Sequence, residues 1–138
     1  MKHWIAVVSR DHAQIAARSG FLQVNHGKAA PLRRTSAGDE VFIYCPRSGM
    51  GDGEVLKRVE FRCVIENDTL YRVEQAPGFK PFRKDVRFDT GFQGIPIGDV
   101  QGMELTADPH WGMLARRGFF EIGAHDAALL RASRNTPE

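Results

Sequence analysis

Apolar residues in this chain come in short bursts separated by polar turns, a rhythm that predicts many short strands rather than long helices. His3 to Val8 reads as a buried strand closed by Ser9. Asp11 is expected to cap a short helix carrying Ile15, Ala16 and Ala17, which Gly20 ends. Phe21 to Val24 is another brief apolar stretch. Pro31 suits the first turn of a helix with Leu32, Arg33 and Arg34. Gly38-Asp39 then turns the chain into a β-branched and aromatic strand, Val41 to Tyr44, which Pro46 stops.

The second half keeps the same rhythm. Val55 to Ile65 reads as a strand with Val59, Phe61 and Cys63 at alternate positions. Asn67-Asp68 predicts a tight turn into Leu70 to Val73, and so a hairpin between these two strands. Pro77-Gly78 is a further turn, and Val86 to Phe88 a further strand. Pro96 to Leu105 reads as loop with a helical turn. Asp108-Pro109 opens a short helix over Trp111, Met113 and Leu114, ended by Gly118. Phe119 to Ile122 forms a last strand, and Asp126 to Ala132 a closing helix. The Gly49, Gly51 and Gly53 spacing leads into a strand, so it reads as a flexible connection rather than a phosphate loop. No repeat or linker interrupts the pattern. It predicts one α+β domain over residues 1–134, built on a curled sheet or small barrel, with a disordered tail at 135–138.

Bulk properties narrow the class. A chain of 138 residues, 42% hydrophobic and 26% charged, is ordinary for a single globular domain. No apolar run approaches the roughly 20 residues that span a bilayer. The N-terminal run is too short for a signal peptide, so no membrane and a cytoplasmic location are expected. A net charge of +2 does not by itself indicate nucleic acid. Its distribution says more, because Arg33-Arg34, Lys57-Arg58, Lys80 with Arg83-Lys84-Arg87, and Arg116-Arg117 form basic clusters. Cys45 and Cys63 lack zinc-ligand spacing and read as buried free thiols. Neither a metal nor a cofactor is expected.

The chemistry-bearing residues fall into a recognisable order. Trp4, Ser9-Arg10-Asp11-His12, Gly20-Phe21, Asn25-His26-Gly27-Lys28, Pro31-Leu32-Arg33, Gly38-Asp39, Tyr44, Tyr71, Arg83 and Arg116-Arg117-Gly118-Phe119 together resemble an EVE domain of the PUA-like superfamily. The resemblance covers nearly the whole chain. It implies a PUA-like curled β-barrel with short helices at the connections. It also implies a reader that, like the related YTH domains, holds a modified base in a pocket beside the barrel. The implied base is one such as 5-methylcytosine or 6-methyladenine, in DNA or RNA.

Such a pocket needs stacking faces, apolar room for a methyl group and polar atoms for the base edge. Ser9 can donate or accept, and Asn25 offers both a carbonyl and an amide. His26 stands beside Asn25. Tyr44 and Trp111 are the candidate stacking faces, with Phe79 or Phe82 as supplements. Lys28, Arg33, Arg47 and Arg83 are the candidate phosphate contacts. Trp4, inside a strand run, reads as core. The protein is expected to act as a monomer. Two other readings stay open: a small enzyme using Cys45 as nucleophile with His26 as base and Asp39 as orienter, and a general RNA-binding PUA-type domain.

Overall fold

The structure, a computed structural model, describes residues 1–49, 51 and 53–133; the expected disordered tail at 135–138 lies outside the described residues. The strands are β1 (His3–Val7), β2 (Phe21–Leu22), β3 (Glu40–Arg47), β4 (Val55–Ile65), β5 (Tyr71–Arg72), β6 (Phe82–Phe88), β7 (Ile95–Pro96) and β8 (Phe119–Ile122). The helices are α1 (Arg10–Ser19), α2 (Ala29–Arg33), α3 (Glu104–Ala107), α4 (Trp111–Ala115) and α5 (Ala124–Ala132). The strands form a curled half-barrel in the order β2-β6-β4-β3-β1-β8, with β5 on β6 and β7 on β4. β1 runs parallel to β3, and the other pairs are antiparallel.

Strand alternation gives the sheet two apolar faces, because successive side chains point to opposite sides. Trp4, Ala6, Val41, Ile43 and Cys45 fill the concave interior, closed by Ala13 of α1 and Leu32 of α2. Ile5, Phe42, Tyr44 and Phe120 form a second layer under Leu105 of α3 and Leu130 of α5. The register slips between Ile43 and Tyr44, where Phe61 and Val59 are the successive partners. This bulge places Val59 with the second layer while Phe61 and Cys63 pack with the first. The even alternation expected from Val59 to Cys63 is thereby corrected.

Two other expectations change. Helix α1 begins at Arg10 with Ser9 as its N-cap, so Asp11 lies in the first turn instead of capping it. Strand β5 pairs with β6 across the Pro77-Gly78 turn, and β4 pairs with β6 directly, so the hairpin forms one connection later than Asn67-Asp68 suggested. The Asn67 side chain instead folds back on its own loop, accepting from Thr69 N at 2.9 Å.

Trp4 is core, as its position in β1 implies. Its ring stacks on Phe119 at 4.9 Å, and Nε1 donates to Asp39 Oδ2 at 3.0 Å. Glu40 is a fully buried carboxylate that accepts from His3 Nδ1, Arg62 Nε, and both Nε and Nη2 of Arg131. It thereby ties β1, β4 and α5 to β3. Burial alone would push this carboxyl up, but the hydrogen bonds from Arg131, Arg62 and His3 outweigh it and hold it down at about 2.

Candidate functional site

A cleft of about 830 Å³ opens beside the concave face, between the N-terminal half of α1, the turn at Asn25–Gly27, β6 and the segment that follows α4. Its size is that of a small-molecule site, for which roughly 300–1,000 Å³ is usual.

One wall begins where β1 ends. Ser9 leaves the strand with extended backbone and starts α1, its carbonyl accepting from Ala13 N at 2.9 Å. The hydroxyl makes no capping bond. Ser9 lines the cleft, and its Oγ is buried with no hydrogen-bond partner among the described residues. A buried hydroxyl in that state costs about 1–3 kcal/mol, so it calls for an explanation.

The facing wall is a left-handed turn. Asn25, His26 and Gly27 have φ of 48°, 57° and 81°, three consecutive residues in a region that L side chains rarely enter. Gly27 is the fixed point of this turn, because a Cβ there would overlap Pro81 just before β6. The two non-glycine residues store strain, each on the order of 1–3 kcal/mol. In return the turn presents both side chains to the cleft. The carboxamide of Asn25 leans on Gly118.

The third wall is organised by Arg83 of β6. Its guanidinium lies over the Phe21 ring at 3.8 Å, Nε donates to Gln23 Oε1 at 2.9 Å, and Nη2 donates to Gln75 Oε1 at 3.0 Å. Burial pulls its pKa below the ordinary arginine value. Phe79 ends the Ala76–Phe79 turn, stays 37% exposed, and lies on the same cleft.

Of the residues singled out from sequence, the fold brings Ser9, Asn25, His26, Lys28, Arg83 and Phe79 to this cleft. Tyr44 and Trp111 go elsewhere. Ile43 takes the cleft side of β3, so Tyr44 must take the other, where it packs edge-on against Trp111 with ring centres 5.7 Å apart. Their expected stacking role in this pocket is corrected by that alternation. Phe82 also lies off the cleft, under the Arg72 guanidinium at 4.7 Å. Arg33 is exposed on α2, and Arg47 donates to Gly53 O at 3.0 Å; neither lines the cleft.

The fold adds residues that the sequence reading did not place there: Phe21, Gln23, Gln75, Arg116 and Arg117. Arg116-Arg117 was visible as a basic pair, but only the path from α4 into β8 carries it to the site. Gln23, a polar residue inside an apolar stretch, was the one local signal for the Arg83 network.

The Cys45, His26 and Asp39 triad is not assembled. Cys45 is a core residue whose thiol burial pushes up to about 12. Asp39 spends both oxygens on Lys2 N, Trp4 Nε1 and Ser36 N. Among the described residues no group of three or more His, Cys, Asp or Glu is placed to hold a metal, and no helix is long and apolar enough to cross a membrane.

Comparison with known proteins adds kinship to this geometry. The family model described as "EVE domain" matches residues 2–132. A UPF0310 protein of Mycolicibacterium vanbaalenii is 37% identical over 141 residues, covering 99% of this chain and 95% of that one. A UPF0310 protein of Bacillus subtilis is 35% identical over 128 residues, covering 90% and 86%. Among solved structures, Rpa0253 of Rhodopseudomonas palustris superposes with a TM-score of 0.61 at 15% identity, covering 94% of this chain and 90% of that one. Atu2648 of Agrobacterium tumefaciens does so with a TM-score of 0.59 at 14% identity, covering 100% and 98%. At those identities the likeness speaks for the fold.

Proposed function

The chain belongs to the EVE domain family, and from that membership we propose that it is a nucleic-acid-binding module that takes a modified nucleobase into the cleft between Ser9 and Asn25. The observation that carries this reading is Ser9, a cleft residue whose buried hydroxyl has no partner among the described residues. A base edge supplies the missing partner. Asn25, held in a strained left-handed turn opposite, offers a second edge contact with both a donor and an acceptor.

Stacking falls to different residues than Tyr44 and Trp111. The Phe21 ring with the Arg83 guanidinium over it, and the half-exposed Phe79, are the flat surfaces at hand. Bases stack on arginine planes as well as on aromatic rings, at roughly 1–3 kcal/mol per base for an aromatic partner. Lys28, Arg116 and Arg117 at the same cleft serve the flanking phosphates.

The test is a titration of oligonucleotides carrying one central modified base against unmodified controls, single- and double-stranded, at two salt concentrations. The panel starts with 5-methylcytosine and 6-methyladenine. Base reading requires that at least one modified strand bind more tightly than its control, and that Ser9→Ala abolish the difference. Equal binding of every strand, with a salt slope as the sole signature, points to the general RNA- or DNA-binding alternative.

A further inference from the structure

The polarity of the cleft's third wall restricts which base edge fits, given the base reading proposed above, on which this inference rests. A guanidinium carries N–H donors and no acceptor. Because Arg83 donates to Gln23 Oε1 and to Gln75 Oε1, both glutamine oxygens are turned to it and both carboxamide NH₂ groups away from it. Gln23, Gln75 and Arg83 all line the cleft. The wall therefore offers donors: two amide NH₂ groups and the remaining guanidinium N–H groups. Lys28, Arg116 and Arg117 add three more cations, and among the described residues no Asp or Glu lines the cleft.

The exocyclic amino group of a cytosine- or adenine-type base is a donor and needs an acceptor opposite. Against this wall it would meet donor on donor. A keto oxygen in the same position would instead accept from Gln23, Gln75 or Arg83. We propose that the cleft selects bases that set a keto oxygen against this wall, of the uracil type, over bases that set an exocyclic amino group there and carry the same modification.

The matched pair that tests this is 5-hydroxymethyluracil against 5-hydroxymethylcytosine, placed centrally in otherwise identical single-stranded DNA. The two bases share the 5-substituent and differ at the edge, with oxygen at position 4 and N–H at position 3 in one, and NH₂ at position 4 and an acceptor nitrogen at position 3 in the other. The uracil strand should bind about tenfold more tightly. Gln75→Glu keeps an oxygen for Arg83 but replaces the NH₂ donor with an acceptor, so it should shrink or invert the preference. Gln75 is exposed, and an unchanged melting temperature verifies that the variant folds. A cytosine strand that binds as tightly as the uracil strand overturns the selectivity while leaving base reading intact. A uracil preference that survives Gln75→Glu unchanged overturns the assignment of edge readout to this wall. Failure of both strands and of the whole modified panel overturns the base reading itself, and the selectivity with it.

Discussion

Asn25 and Gly118 are packed so closely that a Cβ on Gly118 would overlap Asn25 Oδ1 and stand 3.0 Å from Asn25 Cγ. Gly118 also holds φ of 79°, and its carbonyl accepts from Val7 N at 2.8 Å. One glycine thus seats the strained turn against the end of β1. Gly118→Ala should destabilise the fold by roughly 1–3 kcal/mol, from left-handed strain and displacement of Asn25. Thermal unfolding checks the first effect, and loss of the modified-base preference checks the second. An unchanged melting temperature would show that the turn is not seated on Gly118.

Ser9→Ala separates function from stability. Among the described residues the hydroxyl has no partner to lose, so the variant should be as stable as the parent or up to about 1 kcal/mol more stable. Binding of the preferred oligonucleotide should weaken about tenfold. Denaturant unfolding beside the titration reads both. A clear loss of stability would mean that Ser9 is a structural residue.

Glu40 predicts an acid limb. Its folded carboxyl titrates at about 2, against an ordinary 4.5, so protons bind more weakly to the native state than to the unfolded chain. The stabilisation is complete above the unfolded value and is lost as pH falls from about 5 towards 2, on the order of 3 kcal/mol in all. Urea midpoints measured between pH 7 and pH 2.5 should trace that fall. Glu40→Gln should lower stability at pH 7 and flatten the acid limb, because Arg62 and Arg131 then face a neutral group.

The thiols should be inert. Burial pushes both Cys45 and Cys63 up to about 12, so the thiolate fraction at neutral pH is negligible. Alkylation at pH 7.5 should proceed only after denaturation. Rapid labelling of Cys45 in the native protein would revive the nucleophile reading.

Arg117 and Arg33 form a pair of probe and control. Arg117 lines the cleft and Arg33 does not. Arg117→Ala should weaken oligonucleotide binding and lower the salt slope by about 1, whereas Arg33→Ala should leave both unchanged. Equal losses at the two positions would place the phosphate track outside the cleft.

The sequence carried the elements well where a local rule decides them. The β1 burst, the Gly38-Asp39 turn and the Gly118 stop all stand where pattern puts them. Ser9, Asn25, His26 and Lys28 were singled out through the resemblance of the Ser9–His12 and Asn25–Lys28 runs to the EVE pattern, and the fold brings all four to one cleft. Tyr44 was misplaced because alternation along β3 sets it opposite Ile43, and which side of the strand faces the cleft is decided only by the elements that pack on it. The Arg83 network was equally hidden. Gln23 lies 60 residues from Arg83 in sequence, and the two meet only because β2 lies antiparallel to β6.

The seat of β8 beside β1 bears on when the protein becomes competent. Synthesis delivers Ser9 and Asn25 early, while Gly118, which shapes the turn, and Phe119, which stacks on Trp4, follow almost a whole domain later. A nascent chain still short of β8 carries the polar walls without the strand that seats them. Pairings of such long sequence separation also form slowly. Until that last segment docks, a partly made copy lacks the Gly118 contacts that seat the Asn25 turn against the end of β1.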